Sequence, residues 1–282
     1  MNTRLYIKNS NLAKPWRYFL AVYFCTWSLF GVTYRMGLNG ESSAMGAVLV
    51  FLALSAPSVI AIIFVYLSLN QKGQQDYWQR IIDYKRISFG WYCIILLTVP
   101  AISTLAAFLN GYWSSSSFFC NRLPSIGLLI LIILLVPILE ELGWRGYILD
   151  RLQEKYSALT SSLILGVMWY FWHFPAFFLP GSLFSVMPIG SITFWLFTVN
   201  LIALSVCFSW IYNNTNRSTL GAILFHMSIE FSADGGLIPY DQPLHFYNIT
   251  LWMIVVAVII LIFGAKTLTQ DWRTGRSTRT SC

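Results

Sequence analysis

The sequence predicts an all-α protein: a polytopic bundle of transmembrane helices forming one membrane domain over residues 1–282. Three observations predict it. Apolar and aromatic residues make up 57% of the 282 residues and charged residues only 10%, against roughly 25% charged in a soluble domain. Long apolar runs recur along the chain, near the about 20 residues a helix needs to cross hydrocarbon. The basic residues collect in short polar tracts between those runs. A chain with so few polar groups cannot cover its surface in water, so its solvent is lipid.

About eight runs qualify as spans. They are Trp16–Tyr34, Met45–Leu69, Gly90–Leu109, Pro124–Leu139 running on to Leu149, Ala158–Leu179, Ile192–Tyr212, Thr219–Phe231 and Tyr247–Leu268. The first follows Arg4, Lys8, Lys14 and Arg17 in the manner of a signal peptide. It ends on Val32-Thr33-Tyr34, which offers no small-residue cleavage site, and so reads as an uncleaved anchor. If the N-terminus is cytoplasmic and the sides alternate, all 18 Lys and Arg residues except Arg35 and Arg122 fall inside. The positive-inside rule then puts both termini in the cytoplasm, in a protein of the cell membrane. The segment 269–282 reads as a polar cytoplasmic tail.

The net charge of +7 is spread over these tracts rather than gathered on one polar face, which excludes nucleic acid as a partner. Cys25, Cys93, Cys120, Cys207 and Cys282 form no CxxC pair and read as small hydrophobes in helices.

An ionisable side chain in a bilayer is costly and is a functional candidate by default. Such residues occur at Glu140-Glu141-Leu142-Gly143-Trp144-Arg145, at His173, and at His226 with Glu230. Two of the chain's three histidines are therefore in spans. Residues four apart share a helix face. Arg145 is thus placed to neutralise Glu141, while Glu140 points elsewhere, without a same-face cation and free to act as a base. His226 and Glu230 also share a face. Pro175 follows His173 by two residues and frees a carbonyl near Phe171, and Pro137 bends the helix beside Glu140.

Taken singly, each group has an ordinary reading: an interfacial charge cluster, a packing histidine, a local His–Glu bond. Taken together, three spans each carry a polar group that lipid cannot satisfy, so the nearest partners are one another. A carboxylate with two histidines can activate water directly, or Glu140, His173 and His226 can hold a divalent metal such as zinc. The sequence contains no HExxH.

At these residues the chain resembles the CPBP family of intramembrane proteases, the CAAX protease and bacteriocin-processing family, which includes the type II CAAX prenyl endopeptidases. EExxxR is matched by Glu140, Glu141 and Arg145. FxxxH is matched at His173, with Trp169 in place of Phe. HxxxN or HxxxD is matched at His226, with Glu230 in place of the amide or shorter acid. The resemblance implies a catalytic core over about 124–232 and a cavity open towards the membrane. It implies Glu140 as the water-activating base, His173 as its partner, and His226 with residue 230 at the oxyanion. Glu141 and Arg145 then support the site. The expected activity is endopeptidase cleavage of a membrane-associated peptide or protein, of CAAX type or of leader or bacteriocin type. Two other classes remain open on the residues alone: a non-catalytic immunity or partner protein with the same bundle, and a proton-coupled transporter. No inverted repeat supports the transporter.

Overall fold

The computed structural model describes residues 6–38, 43–109, 126–232 and 246–270. Arg4, Cys120, Arg122, Pro124, Cys282 and the tail residues from 271 onward lie outside these. The described residues form ten α-helices: α1 (Pro15–Arg35), α2 (Ala44–Ser68), α3 (Gln71–Ile82), α4 (Phe89–Leu109), α5 (Ile126–Gly143), α6 (Leu149–Gln153), α7 (Ala158–His173), α8 (Ile192–Asn214), α9 (Thr219–Ser232) and α10 (Phe246–Phe263). A single π-helical turn, Trp144–Ile148, joins α5 to α6.

Among the described residues, α2, α4, α8 and α10 are long and apolar enough to cross a membrane by themselves. The other four expected spans are α1, α5, α7 and α9, of which α7 and α9 are shorter and α1 is more polar. The 14 residues of α9 span only about 21 Å at the helical rise, and α9 carries His226 and Glu230. The shortest expected span therefore carries two of the motif residues.

Several ends have local causes. The α-helical run of α7 stops at His173, not at Leu179 as expected, and continues as a 3-10 turn, Phe174–Phe178. Pro175 has no amide to donate, and the Phe171 carbonyl is taken by the Phe174 amide instead. The last helix stops at Phe263, not Leu268, because Gly264 adopts φ +71°, the left-handed stop that glycine accepts most easily. The polar tract between the second and third expected spans holds α3, whose N-cap Asn70 accepts from the Gly73 amide at 3.0 Å.

Interior prolines organise the bundle. A proline removes the bond to the carbonyl four residues back, and in a bilayer that carbonyl must find another donor. Pro57 in α2 frees the Ala53 carbonyl, and the Thr26 hydroxyl of α1 donates to it at 3.1 Å. Pro100 in α4 frees the Leu96 carbonyl, and Ser228 of α9 donates to it at 3.2 Å. Ser58 of α2 donates to the Ile138 carbonyl at 3.0 Å, just before the glutamates of α5. At the α2–α5 crossing a Cβ on Gly143 would lie 2.5 Å from the Pro57 oxygen, so only glycine permits this approach.

The π turn is braced from outside. Tyr77 of α3 donates to the Leu142 carbonyl at 3.1 Å, and Arg80 donates to the Gly146 carbonyl at 3.1 Å. Arg80 also pairs with Asp76 at 3.0 Å and Asp150 at 3.1 Å, and Arg217 pairs with both of those carboxylates. Asn216 and Arg217 hold positive φ values of 51° and 60°, an uncommon conformation clamped by this network and by a bond from Arg86 to the Asn216 carbonyl. Hydrogen bonds from Lys8 to Ser68 and from Ala158 to Lys266 gather the basic tracts expected on one side of the membrane at one end of the bundle.

Burial alone would push the Asp150 carboxyl up, but Arg217, Arg80 and Arg151 outweigh it and hold it well below the usual carboxylate range. A carboxyl depressed in this way contributes stability above its unfolded pKa, and that contribution is lost as the pH falls below about 4. Asp150→Asn is expected to lower stability in detergent by about 3–5 kcal/mol at neutral pH, the cost of stripping a buried pair. The gap to the unaltered protein should narrow below about pH 4. Thermal melting across pH measures both, and an unchanged melt at neutral pH would remove the network from the stability account.

Candidate active site

The last turn of α5 places the two glutamates on different sides of the helix. Both are buried, with Glu141 fully so. Glu141 meets Arg145 four residues on: one guanidinium nitrogen reaches its two oxygens at 2.8 and 3.0 Å. This is the expected same-face pair. Arg145 is itself fully buried and lies over the Phe208 ring at 3.7 Å and the Trp169 ring at 4.9 Å. Both rings are π systems close enough to favour a cation.

Glu141 also reaches a second helix. Its Oε1 lies 2.9 Å from Nδ1 of His226 on α9. A carboxylate paired with Arg145 can only accept, so Nδ1 carries a proton. The other nitrogen of His226, Nε2, lies 3.3 Å from Glu230 Oε1, the contact expected from their spacing.

Among the described residues no Lys or Arg pairs with Glu140, as expected, but it is not without local partners. Its Oε2 accepts from the indole N–H of Trp169 at 2.7 Å and from that of Trp144 at 3.3 Å. No hydrogen bond from a described residue reaches Oε1. Two neutral donors thus fix the carboxylate on one oxygen and leave the other for chemistry. Trp144 is four residues after Glu140, on the same face, and was legible as a partner by spacing. Trp169 belongs to α7, and its reach across the bundle was not.

His173 is half-buried. Its Nδ1 lies 2.9 Å from the Trp169 carbonyl. A carbonyl only accepts, so Nδ1 carries the proton and Nε2 keeps its lone pair. Trp169 is the common neighbour: its ring centroid is 5.8 Å from that of His173 and 5.7 Å from that of His226.

The donor set does not fit a three-ligand metal centre. Among the described residues no group of three or more His, Cys, Asp or Glu side chains is placed to hold a metal ion. Both nitrogens of His226 face carboxylates, one oxygen of Glu140 holds two indoles, and the Trp169 ring contacts both histidines.

Arg145→Ala is expected to cost about 3–5 kcal/mol, because it leaves Glu141 buried without its cation. Adding Glu141→Gln should recover part of that loss by removing the orphaned charge. Melting temperatures of the two variants in detergent provide the check. Equal damage in both would place the cost in lost packing around Phe208 instead.

Comparison with known proteins adds an independent line. The profile of the family described as type II CAAX prenyl endopeptidase Rce1-like matches residues 122–232, a segment holding every motif residue named above. The chain is also 28% identical over 258 residues to a curated protein of Methanococcus maripaludis named CAAX prenyl protease 2, covering 88% of this chain and 93% of that one. By the matched motif segment and an alignment running over most of both proteins, the chain is similar to the Rce1-like type II CAAX prenyl endopeptidases.

Proposed function

We propose that the protein is an intramembrane endopeptidase that hydrolyses a peptide bond of a membrane-associated substrate, with Glu140 as general base. The observation that carries this reading is the asymmetry of the two buried glutamates. Glu141 is neutralised by Arg145, whereas the hydrogen bonds to Glu140 from described residues come from two indoles. A peptide reacts slowly with neutral water, so a site must deprotonate the water and hold the developing oxyanion.

In this reading Glu140 Oε1 takes a proton as the water oxygen bonds to the carbonyl carbon. His173, with its Nε2 lone pair free of the Trp169 carbonyl, accepts the second water hydrogen and orients the nucleophile. His226, fixed by Glu141, donates to the oxyanion from Nε2. Collapse breaks the C–N bond, and the proton on Glu140 passes to the leaving amine. No metal is needed in this sequence of steps. The curated relative's name favours a CAAX-type tail over a leader or bacteriocin-type peptide as substrate. The gathered basic tracts support a cytoplasmic placement for that end of the bundle and for both termini.

Glu140→Gln keeps shape and burial but removes the base, so cleavage of a quenched CAAX peptide by purified protein should fall by a factor of about 10²–10⁴. Trp169→Phe keeps a ring but loses one charge-assisted bond to Glu140, which is worth about tenfold or more in kcat. Full activity in Glu140→Gln would overturn the assignment. Cleavage abolished in Trp169→Phe with its melt unchanged would show that the indole does more than orient the base.

For topology, single cysteines placed in the 72–86 tract should resist an impermeant thiol reagent in intact cells and react once the membrane is opened. Labelling from outside would reverse the orientation.

A further inference from the structure

We propose that Glu230 is the resting occupant of His226 Nε2, and that the substrate must displace it before the histidine can receive the carbonyl oxygen. This rests on the reading of the site as a protease and adds to it a built-in competitor.

The two carboxylates on His226 are held very differently. Glu141 is fully buried, 2.9 Å from Nδ1, and its two oxygens both accept from Arg145. It cannot leave without stranding a buried charge. Glu230 is 21% exposed and 3.3 Å from Nε2. It sits on the last turn of α9, two residues before the helix ends at Ser232. One end of the imidazole is therefore anchored and the other carries a group with access to solvent.

Donor logic places a proton between His226 and Glu230. Nδ1 already donates to Glu141. Nε2 can meet a carboxyl oxygen at 3.3 Å favourably only if a proton lies on one of the two atoms. The substrate's carbonyl oxygen brings no proton and needs one donated. With that proton on Nε2, as donation to an oxyanion requires, the oxygen of Glu230 stands in the place, and makes the bond, that a carbonyl oxygen would make. Length matters here. The glutamate side chain reaches back one helical turn to the imidazole, a contact that the i,i+4 spacing permits. A carboxylate on a shorter stem, or an amide that can also donate, would hold Nε2 less firmly.

The proposal predicts a separation of kinetic constants. A competitor inside the site raises KM, so removing it should tighten the substrate. In purified protein cleaving a quenched CAAX peptide, Glu230→Ala should lower KM by about fivefold, the worth of one partly exposed hydrogen bond, with kcat/KM raised. Glu230→Gln, which keeps the stem but loses the charge, should lower KM by less, and it carries the test if the alanine variant does not fold. Glu141→Gln, at the anchored end, should not lower KM. An unchanged or higher KM in a folded Glu230 variant would overturn the displacement and leave Glu230 as a support for the imidazole. Absence of cleavage by the unaltered protein would instead remove the protease reading and the displacement with it. Cleavage that depends on Glu140 but shows the wrong KM change removes the displacement alone.

Discussion

The buried pair Glu141–Arg145 is the constraint on which the rest of the site depends. Two unit charges with no exposed surface survive in a bilayer only if each has a close partner. Arg145 lies close to the Phe208 and Trp169 rings, and Glu141 takes Nδ1 of His226. The pair thereby joins α5, α7, α8 and α9, and it sets which nitrogen of His226 carries the fixed proton. Glu140, one residue away and about 100° around the helix, inherits this framework without sharing its cation. A neutralised carboxylate thus holds the scaffold, and an uncompensated one is held by it.

A second layer of support comes from hydroxyl groups on kinked backbone. Proline carbonyls left open in α2 and α4 are closed by Thr26 and Ser228 from neighbouring helices. Each such bond fixes a crossing point, because the open carbonyl exists at only one height on its helix. Ser228 lies two residues after His226 on the same short helix, so the bond that seats α9 against α4 also sets the depth of the histidine. The ion network of Asp76, Arg80, Asp150 and Arg217 does the same at the polar end, holding the turn that leads into α9 and bracing the π turn that follows the glutamates. The shortest motif helix is therefore tethered at both ends.

Trp169 shows how a departure from a family pattern can carry chemistry. The aromatic ring alone would fill the space between the histidines. The indole adds an N–H, and that N–H is the shorter of the two bonds to Glu140. Glu230 is a departure of the opposite kind: it adds reach and charge where an amide would donate. The two replacements sit on different helices, one beside Glu140 and the other beside His226.

By itself the sequence determined the all-α membrane class, most helix limits to within a few residues, the Glu141–Arg145 pairing and the His226–Glu230 contact. All of these follow from local rules: apolar length against hydrocarbon thickness, charge between runs, and the four-residue repeat of one helix face. Even the freed carbonyls could be placed, since a proline names the residue four before it. What fills those carbonyls could not be read, nor could the bond from Glu141 to His226, 85 residues away, nor the bond from Trp169 to Glu140. Those depend on how the helices cross and at what depth. That geometry comes from packing the whole bundle, including the close approach at Gly143 and the π turn after it. The residues that bear charge were therefore legible one helix at a time. Which oxygen meets which nitrogen was decided only when the helices met, because a hydrogen bond tolerates errors of tenths of an ångström and no spacing rule within one helix carries that precision to another.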